Sequence, residues 1–287
     1  ASRHVDVAVI ETGLGGRLDS TNIITPRACV ITNISYDHMA QLGHTLTSIA
    51  HEKAGIIKSG IPVVIGEAEG DVRRVFEEKA REESAPIYFA QESDVLTSCR
   101  PDENGQWAID SRDYGYLTYE LDGLCQEKNA ATILCALRIL RQQGFAITPE
   151  AVKEGFAHVT TLTGLQGRWQ KVGSLPPAYC DTGHNTGGFR YISQQLAGIK
   201  CRTLRIVFGM VNDKDISGVL SMLPREAVYY FTQASIPRAM PASVMRDKAA
   251  ESGLKGDVYD SVPEAYRAAL HDSCDEDFVF IGGRRLV

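Results

Sequence analysis

The chain has no long apolar run, no paired cysteines and no surplus of positive charge, and each absence removes a class of protein. No stretch approaches the roughly 20 consecutive apolar residues that a membrane helix needs, and no secretory signal is read at the start, so no membrane is expected as a partner. Lys and Arg number 30 against 36 Asp and Glu, a formal net charge of −6. That balance gives no electrostatic footprint for nucleic acid, while anionic small molecules can still bind through local groups. The seven cysteines are scattered, without CxxC pairs or metal-ligand spacing. Cys29, Cys135 and Cys180 fall within apolar runs, the pattern of reduced core thiols in a cytoplasmic protein. The dinucleotide fingerprint is also missing. After Gly13 and Gly15 its third glycine would stand at position 18, which is Leu18.

What is present is alternation. At 287 residues, 44% of them apolar, the chain has length for two domains with ordinary cores. Val7–Ile10 reads as a buried strand, followed by "ACVITNIS", "IPVVIGE" and "PIYFA" with helices at "LTSIAHEKAGIIK" and "DVRRVFEEKAREES" between them. Strands alternating with helices predict a parallel sheet covered by helices. Residues 91–123 are polar and turn-rich, like small antiparallel strands. Helices follow around "KNAATILCALRILRQQG" and "TPEAVKEGFAHV", the second entered through Thr148 as cap and Pro149. Thr160–Gly167 reads as a linker, after which strands at "AYCD", "TLRIVFGM", "AVYYFTQAS" and "DFVFIGG" alternate with helices again. Two α/β domains are expected, 1–165 and 166–287.

Four clusters carry candidate chemistry, each at or beside the carboxyl end of an apolar strand, where open α/β sheets bind ligands. The first is Glu11 with its glycine turn, Arg17, Asp19 and Asn22; the plain alternative is a tight solvated turn. A carboxylate facing such a turn suits a hard metal ion. The second places Asp37 and His38 past a strand, where Glu and His together can serve a divalent ion that keeps water and phosphate oxygens. The third is Lys53 on an apolar helix, read either as a snorkelling lysine paired with Glu52 or another acid or as a buried, modifiable amine. The fourth is Arg168 with "YCDTGHNTGG", carrying Asp181, His184 and Asn185 into a glycine-containing helix start, either an anion cradle or an Asx-capped turn. "GMVNDKD" repeats the theme with Asp213, Lys214 and Asp215.

Together, "ETGLGGRLDSTN", "ISYDHMAQLGHTLTSIAHEKAGIIKSGIPVV", "GRWQ", "DTGHN" and "GMVNDKD" resemble the folylpolyglutamate synthase and dihydrofolate synthase family of the Mur ligase superfamily. The resemblance runs in order from Val5 to about Asp215. It implies a partial central ATPase domain, with a parallel sheet and a small antiparallel excursion, followed by a Rossmann-like C-terminal domain. It implies Mg²⁺ on Glu11 and His38, and a carbamylated Lys53. ATP contacts would fall to Asn129, Arg168 and Asp181, with His184 close by as a catalytic group and Arg17 and Asp19 near the pterin-bearing substrate or the metal. The implied substrates are ATP, L-glutamate and folate or dihydropteroate, acted on by a monomer when complete.

Departures accompany the match. The family's glycine-rich phosphate loop, with its lysine and Ser or Thr, has no counterpart here. The amino-terminal part of the central domain is therefore expected to be missing and this chain alone inactive. Cys125 stands where the family usually has histidine. Two rival readings stay open: another Mur-type ligase acting on cell-wall precursors or polymers, and a non-catalytic remnant.

Overall fold

A computed structural model describes residues 5–102, 106–211, 216–237 and 239–283. The chain divides into two compact units. One runs to Leu96 and takes back Lys128–Ile147; the other holds Thr97–Glu127 and the chain from Thr148 onward.

The first unit is built on β1 (Cys29–Ile31), β2 (Val63–Ile65) and β3 (Ile87–Phe89), a parallel sheet in that order. α1 (Met39–Leu42), α2 (Leu46–Ala54) and α3 (Gly70–Glu82) connect the strands. β2, central and wholly buried, is an unbroken apolar run, as a parallel strand covered on both faces must be. α2 starts at a reciprocal capping box. Thr45 Oγ1 accepts from Ser48 N, and the Ser48 hydroxyl accepts from Thr45 N. Ala50 and Ala54 of α2 and Val75, Phe76 and Ala80 of α3 are buried in one core with Cys29, Ile31, Val63 and Ile65. Full burial of each large apolar side chain contributes about 1.5–3 kcal/mol.

Next come β4 (Leu96–Pro101), β5 (Trp107–Ser111) and β6 (Gly115–Tyr119), a three-stranded sheet in which β5 and β6 are antiparallel. α4 (Gln126–Gln142), α5 (Pro149–Ala157) and α6 (Val159–Thr163) follow. Thr148 Oγ1 caps α5 by accepting from Ala151 N at 3.1 Å.

The second unit's large sheet contains β7 (Gln170–Ser174), β8 (Pro177–Asp181), β9 (Leu204–Phe208), β10 (Val228–Phe231), β11 (Lys255–Val258) and β12 (Phe278–Gly282). Their order is β11-β10-β9-β12-β8-β7, parallel except for the β7–β8 hairpin. α7 (Thr186–Gly198), α8 (Ile216–Leu220), α9 (Ala242–Glu251) and α10 (Val262–His271) complete it. Phe189 and Ile192 of α7, Val219 of α8 and Met245 of α9 join one core; Ala265 and Ala269 of α10 join the other.

Three expectations change. Val7–Ile10 forms no strand. That segment is irregular and has no ladder partner among the described residues, so its apolar side chains stay in solvent, Val9 at 96% exposure. The linker expected at 160–167 is partly helical, since α6 continues to Thr163 and ends on left-handed Gly164. Sequence reading also passed over the edge strands β7 and β11, whose polar and glycine content hides the period. Asp213, Lys214 and Asp215 lie outside the described residues. No described helix is long and apolar enough to cross a membrane.

Ahead of β12, Asp277 is buried and accepts from Arg202 Nε and Arg205 Nε, each at 2.9 Å. Burial opposes its ionisation, but the two guanidiniums outweigh it and hold the carboxyl well below the usual carboxylate range. A depressed folded-state pKa stabilises fully above the unfolded value near 3.9, and the contribution is lost as pH falls below it. Asp277→Asn is expected to cost on the order of 3–5 kcal/mol at pH 7, because it leaves a buried guanidinium unpaired. Urea denaturation at pH 7 and pH 3 checks this, with the difference between variant and parent shrinking at the lower pH.

Candidate functional site

In the first unit the glycine turn after Glu11 is packed onto the last turn of α2. Arg17 N donates to Glu52 O at 2.8 Å. Asn22 Nδ2 donates to Arg17 O at 3.1 Å and Gly55 O at 3.0 Å, and Lys58 Nζ donates to Asn22 O at 2.9 Å. Two glycines permit this approach. A β-carbon on Gly55 would stand 2.4 Å from Arg17 Cα, and one on Gly16 would stand 2.9 Å from Glu52 O.

Asp19 organises the turn. Its carboxylate accepts from Leu14 N, Thr21 N and Thr21 Oγ1 at 2.9, 2.9 and 2.6 Å. Those hydrogen bonds, led by the Thr21 hydroxyl, lower its pKa to about 2. Arg17 Nε and Nη2 both donate to Glu52 Oε1, at 3.1 and 2.9 Å. Glu52 is thus the partner of Arg17, and the acid that acts on Lys53 is another one, Asp37.

Lys53, one residue on, is half-buried. Burial pushes its ammonium pKa down, opposed by the Asp37 carboxylate. Asp37 Oδ1 accepts from His38 N at 2.8 Å, and His38 takes the left-handed conformation, φ 49°, just ahead of α1. The sequence singled out Asp37 only as a neighbour of His38; its place beside Lys53 emerges from the fold. Glu11 is exposed on the irregular segment rather than at the end of a buried strand.

Among the described residues no group of three or more His, Cys, Asp and Glu is arranged to hold a metal ion. Glu11 and His38 offer one carboxylate and one imidazole, a donor set that fits a divalent ion completed by water and phosphate oxygens. Asn129 is half-buried on α4. Its neighbour Lys128 pairs with Glu67, and a β-carbon on Gly66 would meet Thr132 Oγ1, so this turn of α4 packs where the chain leaves β2.

In the second unit Asp181 ends β8. Its Oδ2 accepts from Trp169 N at 2.8 Å and its Oδ1 from Gly183 N at 2.7 Å. Burial raises its pKa; the two amides and Arg168 pull the other way. Trp169 holds φ 45°, a conformation uncommon for a bulky residue and costing roughly 1–3 kcal/mol. The Asp181 bond and stacking on Phe280, with centroids 5.4 Å apart, hold it there.

Arg168 Nη1 donates to the Thr182 hydroxyl and to Gly167 O. His184 Nδ1 lies 3.1 Å from Thr182 O, and since a carbonyl only accepts, that nitrogen carries the proton. Asn185 Oδ1 caps α7 by accepting from Gly188 N at 2.8 Å. Arg168, Asp181 and His184 are thus gathered on two connected turns. Sequence reading missed Thr182, whose hydroxyl joins them; its signal was its place inside "DTGHN". It noted Cys125 only as a departure, yet that thiol lies within electrostatic reach of Asp181 and Arg168.

Comparison with known proteins places both halves. The Mur ligase middle domain model matches residues 1–111, and the Mur ligase glutamate ligase domain model matches residues 167–285. The chain belongs to the Mur ligase family. Folylpolyglutamate synthase of Lacticaseibacillus casei is 32% identical over 98% of the chain and 65% of the relative. Dihydrofolate synthase/folylpolyglutamate synthase of Escherichia coli is 32% identical over 98% of the chain and 63% of the relative. The chain therefore spans somewhat less than two-thirds of these relatives' length. Among solved structures, Mycobacterium tuberculosis folylpolyglutamate synthase complexed with ADP superposes with a TM-score of 0.86 at 27% identity, covering 98% of this chain and 66% of that one. E. coli FolC in complex with DHPP and ADP gives 0.79 at 31%, covering 96% and 63%. Within the Mur ligase fold these relatives carry folate names, and the cell-wall alternative is not favoured.

The glycine packing has a direct consequence. Gly55→Ala is expected to destabilise this Mur ligase chain by about 1–3 kcal/mol, because backbone must move to admit the methyl group. Gly155→Ala, mid-helix in α5 with nothing within 4 Å of the added carbon, is expected to stabilise by about 0.5–1 kcal/mol. Thermal melts of the two variants beside the parent give both signs.

Proposed function

We propose that the complete protein is an ATP-dependent ligase that adds L-glutamate to a folate, and to dihydropteroate where it has both activities. The observation that carries this is the 32% identity to folylpolyglutamate synthase across 98% of the chain. Solved relatives described as holding ADP with DHPP, or Mn, AMPPNP and L-glutamate, support the substrates and the divalent ion.

In this reading a substrate carboxylate oxygen attacks the γ-phosphorus of ATP and ADP leaves, giving an acyl phosphate. The glutamate amine then attacks the acyl carbon, loses a proton and expels phosphate. Glu11 and His38 would hold Mg²⁺, which neutralises phosphate charge when bound. Arg168 supplies a fixed positive group for the nucleotide. Asp181, already anchored by two amides, keeps lone pairs for further nucleotide donors, and Asn129 offers an amide. Lys53 and His184 are assigned as catalytic groups. The depressed basicity of Lys53 favours the neutral amine, which adds CO₂ and releases a proton to become a carbamate. Arg17 and Asp19 border the pterin-bearing substrate.

We place the domain boundary near 165, between the two matched family models and just after Gly164. All seven cysteines are free, which supports a reducing, cytoplasmic setting. The complete protein is proposed to act as a monomer.

The experiment compares these 287 residues with the entire gene product, following ADP release with folate, glutamate and Mg·ATP. The gene product is expected to release ADP only when both acceptor and glutamate are present. Glu11→Ala in it should lower kcat by about 100-fold or more. The 287-residue chain, which contains no glycine-lysine-serine/threonine phosphate loop, is expected to give none. ADP release by the gene product that ignores folate and glutamate would refute the assignment, and turnover by the shorter chain would refute the need for that loop.

A further inference from the structure

The Arg17–Glu52 pair is awkward to explain as a stabilising contact. Arg17 is 56% exposed and Glu52 22%, and partly exposed ion pairs contribute little to stability. Yet it does not stand alone. The same two residues are joined through their backbones, and Asn22 binds the carbonyls of both Arg17 and Gly55. A β-carbon on Gly16 would lie 3.1 Å from the carbonyl oxygen of Lys53 itself. Side chain, backbone and glycine contacts therefore converge on one helical turn, the turn that carries Lys53.

Successive helix residues point about 100° apart. On α2, Glu52 can grip the turn while Lys53 faces elsewhere, so one residue fixes the frame of the other without touching its amine. We propose that Glu52 is a positioning residue. Its carboxylate clamps Arg17, and through it the Gly15–Asn22 turn, onto the last turn of α2, and this docking keeps the Lys53 amine half-buried. The clamp also gives Arg17 a role through Lys53. The inference rests on reading Lys53 as a site residue, but its test needs no turnover and so can fail separately from the ligase assignment.

Glu52→Gln keeps size and removes the charge; Arg17→Lys keeps the charge and loses the fork; the swap Arg17→Glu with Glu52→Arg restores an opposite pair. Each is made in the 287-residue chain and checked for parent-like circular dichroism. Two quantities are read. One is amide exchange over residues 14–22. The other is acetylation of Lys53 by an N-hydroxysuccinimide ester, quantified by peptide mass spectrometry relative to exposed Lys153. Labelling is pulsed at pH 11, where an unperturbed lysine is already about four-fifths neutral, so the rate reports access more than protonation.

Glu52→Gln is expected to speed turn exchange and Lys53 acetylation together, by about two- to fivefold, the change in opening that loss of a partly exposed pair allows. Arg17→Lys should fall between, and the swap should return both toward the parent. Faster turn exchange with unchanged Lys53 acetylation would overturn the proposal, as would no change in either. If Glu52→Gln unfolds the unit, Arg17→Lys decides by the same two readings.

Discussion

The backbone of Arg17 passes Gly55 so closely that no side chain fits between them, and the first unit's candidate chemistry is arranged around that contact. Hydrogen bonds alone would not hold an eight-residue turn against a helix end, because water competes for each of them. Close packing that excludes water at Gly16 and Gly55 makes the bonds from Arg17 N to Glu52 O and from Asn22 to Gly55 O worth making. The helix in turn is held by its buried face, with Ala50 and Ala54 in one core with residues of β1 and β2. Position thus passes from core to helix, from helix to turn, and from that junction to Lys53.

Two carboxylates in the second unit, Asp277 buried and Asp181 half-buried, show how surroundings divide labour within one sheet. Asp277 precedes β12 and meets two guanidiniums, so burial loses to charge and its pKa falls. Asp181 ends β8 and meets two neutral amides and a single arginine that also bonds Thr182, so burial wins and its pKa rises. The first is locked in a completed ion pair at the amino ends of the strands. The second, at the carboxyl ends, is oriented but left with unsatisfied charge demand, the condition a ligand-binding carboxylate requires. The left-handed Trp169 backbone beside it is tolerated because that same carboxylate binds its N–H.

Much of this was legible in the sequence, and the failures have physical causes. Alternation and caps placed the helices to within a few residues: Thr148 and Pro149 open α5 as expected, while α2, expected to run to Lys58, ends at Gly55. Arg168, Asp181 and His184 could be grouped because they lie within a few residues of two turns. Pairings across 35 residues, such as Arg17 with Glu52, leave no local pattern and had to come from the fold. Val7–Ile10 has strand composition, but composition does not supply a ladder neighbour, and without one the run stays irregular and exposed. Edge strands such as β11, "KGDV", carry charge, which resists further pairing, and a glycine, Gly256, that lies too close to the Tyr229 carbonyl for any side chain, and so do not look like strands.

The glycine turn shows why counting glycines misleads while asking what each would touch does not. A phosphate-binding glycine is required where ligand atoms approach the backbone, so its missing side chain faces space outside the protein. The missing side chain of Gly16 faces Ile56 and the carbonyls of Glu52 and Lys53, and that of Gly55 faces Arg17. These are protein atoms, so Gly16 and Gly55 are glycines because two stretches of backbone meet there. Leu18, standing where a dinucleotide fingerprint would need its third glycine, is 79% exposed and plays no part in that meeting. The polar residues of the turn follow the same logic: Asp19 turns inward to cap Leu14 and Thr21, and Asn22 bridges to the helix. What looks in sequence like a loop built to receive a ligand is, in its backbone, a loop built to receive a helix.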